Sequence, residues 1–179
     1  MADHGLTGVL LVGGASARFG SPKALARLGD ETLAERAWRL LGEVCEERIA
    51  VGKDELALPF AVLDDGTDVR APIAGVVAGL RAASHEISLI VPVDVPLVTA
   101  GALRRLAGAC RDAAVPARGP LPGAYRRTVL PALELALAEG RLALRAALAG
   151  LDVAVVDLDE SLLANVNEPS DLERLEIVP

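Results

Sequence analysis

The chain is poor in cysteine, in aromatic residues and in lysine. Cys45 and Cys110 stand apart, without the close spacing of a metal knuckle or a redox pair, and read as buried or free thiols, for which a reducing compartment is the simpler setting. Aromatic residues make up only 2% of the 179 positions, which leaves little with which to stack single-stranded nucleic acid and calls for an aliphatic core. Trp38 and Phe60 are assigned to that core. Acidic residues outnumber basic ones 25 to 18, and a net charge of −7 argues against nucleic acid as a general partner. The amino terminus lacks the basic start and apolar core of a secretion signal. The longest apolar stretch, residues 87–98, is interrupted by Ser88, Asp94 and two prolines, so no membrane span is expected. A soluble cytoplasmic protein follows. Its 52% of hydrophobic residues suffice for the core of one domain over residues 1–179.

One further absence is local. From Gly5 to Gly29 there is no acidic residue, whereas Arg18, Lys23 and Arg27 all fall there. Within that window the apolar run Leu6 to Val12 reads as a strand buried on both faces, ended by Gly13-Gly14. Glycines let backbone N–H groups approach an anion, and Arg18 and Lys23 supply charge that amides alone cannot. Lys23 and Lys53 are the only lysines among the basic residues, so Lys23 reads as more than a surface lysine.

Along the rest of the chain, strands alternate with helices. Thr32 and Glu35 form a capping box ahead of a helix through Leu33, Ala37, Leu40, Leu41 and Val44. Residues 48–51 and 60–63 are short strand candidates. Pro72 opens a helix running to about Ser84. Ser88 to Val93 is the next strand, with Asp94 at its carboxyl end and Thr99 capping the helix that follows. Residues 116–123 read as a loop leading to a short strand at Ala124-Tyr125. Helices at 130–138 and 142–148, a strand at 153–158 and a short final helix through Leu172 and Leu175 complete the chain. This alternation predicts a three-layer α/β/α sandwich around a mostly parallel sheet, whose ligands bind beyond the carboxyl ends of the strands. Gly13-Gly14 and Asp94 then share one edge.

The glycine loop matches neither common phosphate motif. Gly13, Gly14 and Gly20 lack the spacing of a dinucleotide fingerprint, and Gly20 is followed by Ser21-Pro22-Lys23 rather than directly by lysine and a hydroxyl residue. The pattern L-x-G-G-x-S-x-R-x-G-x-x-K from Leu11 to Lys23 resembles the signature of nucleotidyltransferases that transfer NMP from an NTP to a phosphate acceptor. Arg70-Ala71-Pro72-Ile73-Ala74-Gly75 resembles their G-P-L-A-G turn, and Pro92-Val93-Asp94-Val95-Pro96 their P-C-D-x-P metal site. Asn165-Val166-Asn167-Glu168-Pro169-Ser170-Asp171-Leu172 is similar to the ending of the molybdenum cofactor guanylyltransferases. These motifs span nearly the whole chain in the family's order.

The resemblance implies a Rossmann-like sheet of the nucleotidyltransferase type and the transfer of GMP from GTP to the phosphate of molybdopterin, with release of pyrophosphate. It implies nucleotide contacts at Leu11, Val12, Gly13, Gly14, Lys23 and Asp65, with Mg²⁺ on Asp94. Arg18, Lys23 and Asp94 are the implied catalytic residues, and Asn165 and Asn167 are implied at the acceptor and metal. Molybdoenzyme-maturation proteins are the implied protein partners. Bland readings stand beside these roles: Asp94 as a helix cap, Asp64-Asp65-Gly66 as an ordinary turn, and Asn165 and Asn167 as turn residues. Tyr125, Arg126 and Arg127 read either as acceptor contacts or as surface. Departures from the family pattern bear on the base. Gly52 follows Val51 where asparagine is common, and Gly20-Ser21-Pro22-Lys23 resembles the loop of related cytidylyltransferases. A cytidylyltransferase acting on molybdopterin or another small phosphate acceptor is therefore the alternative enzyme. A non-catalytic module that binds nucleotide and molybdopterin is the alternative outside enzymes.

Overall fold

The first strand, β1 (Leu6–Leu11), is apolar on both sides because both of its faces are covered. Val9 and Leu11 pack into one buried cluster, and Leu10 and Val12 into another on the opposite face. The computed structural model describes residues 5–13, 19–53 and 56–176, so the candidate positions Gly14 and Arg18 lie outside the described residues. After β1 come a small hairpin of β2 (Arg27–Leu28) and β3 (Glu31–Thr32), then α1 (Leu33–Gly42), β4 (Glu47–Gly52), β5 (Val62–Asp64) and α2 (Pro72–Ala82). The chain continues through β6 (Ile87–Pro92), α3 (Ala100–Ala109), β7 (Ala113–Pro116), β8 (Gly123–Arg126), α4 (Leu130–Ala138) and α5 (Leu144–Ala147). It closes with β9 (Val153–Val156) and α6 (Pro169–Glu176).

Seven strands form one sheet in the order β5-β4-β1-β6-β8-β7-β9. Only β8 runs against its neighbours β6 and β7; the remaining pairings are parallel. Side chains from α1, α3 and α6 cover one face, and those from α2, α4 and α5 the other. The predicted three-layer sandwich is thus the observed one. α2 lies close to the sheet because Gly75 and Gly79, four residues apart, face it: a Cβ on Gly75 would come within 2.9 Å of Leu11, and one on Gly79 would run into Val9.

Local signals explain most of these elements. Thr32 Oγ1 accepts from the Glu35 amide at 3.1 Å while Glu35 Oε2 accepts from the Thr32 amide at 2.8 Å, the capping box expected of that spacing. Thr99 caps α3 through the Ala102 amide. Two features depart from the expectation. A strand, β7, stands where the sequence reading passed from helix to loop, and the β2–β3 hairpin turns at Gly29, whose φ of 64° suits glycine. Both β2 and β3 are two residues long and β7 only four, too short for an alternating pattern to register.

Candidate active site

Backbone hydrogen bonds carry the sheet past its strand ends and level several loops on one edge. The Val12 amide donates to the Val51 carbonyl at 2.9 Å, and the Val93 amide to the Leu11 carbonyl at 3.2 Å. Gly13, Lys53 and Asp94 therefore emerge side by side, on either side of β1, where the strand connections diverge. Between them lies a cavity of about 300 Å³. Leu11, Val12, Gly13, Lys23, Asp65 and Asp94 all line it, although they come from four separate stretches of chain.

Two lysine–aspartate pairs bound this cavity. Lys23, at the start of a single 3-10 turn, places Nζ 3.6 Å from Asp94 Oδ2, with the side chains 17% and 27% exposed. Lys53 and Asp65 are tighter, at 2.6 Å, and more buried, with side chains 16% and 6% exposed. Lys53 Nζ also donates to the Thr67 carbonyl, and Asp65 Oδ1 accepts from the Thr67 amide at 3.1 Å. The ordinary-turn reading of Asp64-Asp65-Gly66 is correct as well, since Asp64 Oδ1 accepts from the Gly66 amide. Asp65 serves both the turn and the cavity.

Asp94 does not cap α3, because Thr99 does. Its loop is braced from two sides. The Val166 amide donates to the Asp94 carbonyl at 2.8 Å, and Arg36 Nε of α1 donates to the Pro96 carbonyl at 2.9 Å. The first of these bonds brings the Asn165–Asn167 segment to the site, with Val166 buried and both asparagines exposed. The asparagine side chains are not among the residues lining the cavity. Asp171 fixes the turn by accepting from the Asn167 and Glu168 amides at 2.8 and 3.1 Å. Those bonds, together with Arg174 and Lys23, hold the Asp171 carboxyl below its ordinary range. Lys23 thus lies in the field of two carboxylates, Asp94 and Asp171.

Tyr125, Arg126 and Arg127, read as acceptor contacts or as surface, lie away from this cavity. β8 runs antiparallel, which pairs Tyr125 and Arg126 with Ser88 and Ile87 at the amino end of β6, on the opposite edge of the sheet. Tyr125 is fully buried and donates to the Pro120 carbonyl; Arg126 pairs with Glu86, and Arg127 donates to the Ala83 carbonyl. Trp38 stacks on Phe60 at 4.1 Å, and both pack against the core as assigned. What the sequence reading passed over is Lys53, although the scarcity of lysine that singled out Lys23 applies equally to it. Arg70, just before α2, also lines the cavity.

Among the described residues no cluster of three or more His, Cys, Asp or Glu side chains could hold a metal by itself. Asp94 offers one carboxylate on an open cavity, a donor set that suits a hard cation sharing its remaining positions with phosphate oxygens and water. No helix among the described residues is long and apolar enough to cross a membrane.

Comparison with known proteins bears on this edge as a whole. A molybdenum cofactor guanylyltransferase from Desulfosudis oleivorans is 29% identical over 96% of this chain and 94% of its own length. A probable molybdenum cofactor guanylyltransferase from Deinococcus radiodurans is 35% identical, covering 95% of this chain and 93% of the relative. The crystal structure of molybdopterin-guanine dinucleotide biosynthesis protein A from Archaeoglobus fulgidus superposes with a TM-score of 0.80 at 25% identity, over 95% and 96% of the two chains. The MobA-like NTP transferase domain matches residues 8–155, which takes in both lysine–aspartate pairs; the chain belongs to that family and is a nucleotidyltransferase.

Proposed function

We propose that this protein transfers GMP from GTP to the terminal phosphate of molybdopterin, forming the guanine dinucleotide cofactor and pyrophosphate. The observation that carries the reading is the convergence of Leu11, Val12, Gly13, Lys23, Asp65 and Asp94 on one cavity, in a chain whose relatives bear that activity in their names. The whole chain, residues 1–179, acts as one unit in this reading. It works in the cytoplasm and hands its product to molybdoenzyme-maturation proteins.

The reaction is an in-line displacement in which an oxygen of the acceptor phosphate attacks the α-phosphorus of GTP and the bond to the β-phosphate oxygen breaks. The attacking group is already anionic near neutral pH, so the protein has to position two polyanions and offset their repulsion. Lys23 donates to the phosphate oxygens on which charge accumulates as pyrophosphate leaves, and Arg18 contributes a second cation. The Gly13 amide approaches the phosphates, and Gly14 has the same part in the motif. Asp94 is the residue to hold Mg²⁺, which when bound offsets the charge of the phosphate oxygens. The 3.6 Å pair with Lys23 keeps the Asp94 carboxylate at the same point as the lysine before substrate arrives. Asp65 faces the nucleoside, and Asn165 and Asn167, carried to Asp94 by the Val166 bond, face the acceptor.

Incubation with Mg²⁺, molybdopterin and each of the four NTPs in turn, with pyrophosphate measured, tests the reading. Release with GTP alone is the expected result. Release with CTP in place of GTP would move the protein to the cytidylyltransferases, and tight binding of nucleotide and molybdopterin without pyrophosphate would make it a carrier.

A further inference from the structure

The chain has only two lysines, and both line the same cavity, each paired with an aspartate just beyond a strand end. The proposed function uses one of them. Asp94 follows β6 and Asp65 follows β5, and the order β5-β4-β1-β6 sets these strands three steps apart, about 14 Å across the sheet edge at ~4.8 Å per strand. A nucleoside triphosphate laid along that edge with its phosphates at Lys23 reaches the Lys53–Asp65 pair with its base. Leu11, Val12 and Val51, at or just past the ends of the strands between the two pairs, give the cavity an apolar lining there, which suits a base.

We infer that Lys53 is a specificity-determining residue that donates a hydrogen bond to the exocyclic carbonyl oxygen of the base, O6 of guanine. This rests on the guanylyl-transfer reading above and extends it to a residue that the sequence motifs do not include. A lysine ammonium has three donors and no acceptor, so on a base it recognises only an acceptor. Two of its donors are engaged, by Asp65 Oδ1 and the Thr67 carbonyl, which fixes the head group and leaves one for the ligand. Asp65 Oδ1 already accepts from Lys53 and from Thr67, while Oδ2 takes no hydrogen bond among the described residues. The pair thus sets one donor beside one acceptor. Guanine answers with O6 beside N1–H, and its 2-amino group adds a second donor next to N1–H for the carboxylate. Adenine and cytosine meet the pair only in reversed order and without that second donor. Three bonds against two favour guanine.

The test couples one atom of the ligand to one residue. Binding of GTP and of 6-thio-GTP, which changes the O6 acceptor alone, is measured by calorimetry with Mg²⁺ for the wild type and for Lys53→Met. The expected result is about tenfold weaker binding of 6-thio-GTP to the wild type, with the difference falling below threefold in the variant because GTP loses affinity and 6-thio-GTP hardly does. Equal loss of both nucleotides, or an unchanged ratio, overturns the inference and makes the pair a structural one. Circular dichroism checks that the variant folds; if it does not, Lys53→Arg carries the test, since it keeps the cation and displaces the donor, and an unaltered ratio there is equally adverse. A wild type that binds CTP in preference to GTP would instead defeat the guanylyl reading itself, whatever Lys53 does.

Discussion

Lys23 and Asp94 carry opposite charges into the cavity that the proposed function fills with phosphates, and this decides how their removal should be felt. In the proposed reaction, removing the lysine takes away one fixed donor to the charge that develops on the leaving pyrophosphate, and loss of a preorganised donor of this kind lowers turnover by about 10²–10³-fold. Lys23→Ala is therefore expected to reduce pyrophosphate release from GTP by that factor, while Asp94→Ala abolishes the Mg²⁺-dependent rate; near-wild-type rates in either variant would refute the assigned roles. Neither change is expected to unfold the protein, because the pair is loose at 3.6 Å, and circular dichroism of the variants checks this. At this scale the spaced motifs are what drew several residues of one cavity out of the sequence. Leu11, Val12, Gly13, Lys23, Asp65 and Asp94, which the resemblance implies as nucleotide contacts, line one cavity. Lys53 belongs to no motif and was visible only as the second of two lysines. Asn165 and Asn167, which the resemblance also implied, come near Asp94 through the backbone of the residue between them, while their side chains do not line the cavity.

The helices packed on the sheet that presents these residues place different demands on their own sequences. α1 depends on its cap: Thr32→Ala removes the acceptor for the Glu35 amide and is expected to cost about 1 kcal/mol, seen as a lower urea midpoint with an unchanged slope. α2 depends on glycine for another reason. Gly79→Ala should gain up to about 1 kcal/mol of helix propensity, but the new Cβ collides with Val9 in β1, and overpacking of that kind costs about 1–3 kcal/mol. Net destabilisation is expected, and the double variant with Val9→Ala should be more stable than the sum of the single changes allows; strict additivity in thermal unfolding would show that the helix simply shifts. The capping box of α1, the Thr99 cap of α3, the proline at the start of α2 and the two-faced strand β1 were legible because each is a local rule with a fixed spacing. The reversal of β8 was not, because Gly123–Arg126 pairs with strands distant in sequence and its direction is set by that pairing. That reversal moved Tyr125 and both following arginines to the far edge.

The whole molecule gathers its shifted acids and thiols into a stability profile with two limits. On the acid side, Glu31 is held below its ordinary 4.5 chiefly by a hydrogen bond from Arg39, Glu35 by the Thr32 amide, and Asp159 by the Ser161 hydroxyl. Burial opposes ionisation of Glu47, yet bonds from Thr7 and Ser84, with His85 nearby, outweigh it, while Asp171 is lowered first by the Asn167 amide. A carboxyl whose pKa is lower in the folded chain contributes stability that is complete above its unfolded value and is lost as pH falls through the folded one. The melting temperature should therefore begin to fall as pH drops below 4.5, the ordinary value of these glutamates. On the alkaline side burial pushes the thiols up, Cys45 to about 12 and Cys110 to about 11, from an ordinary 9.0. Here the sign is reversed: the stability is complete below 9.0 and declines above it, because only the unfolded chain ionises freely. Cys45→Ala and Cys110→Ala together should flatten the alkaline limb of a melting-temperature profile and leave the acid limb in place. If the double variant loses as much melting temperature above pH 9.0 as the wild type, the thiols do not set that limit, and the buried Tyr125 hydroxyl, also raised by burial, becomes the group to replace next.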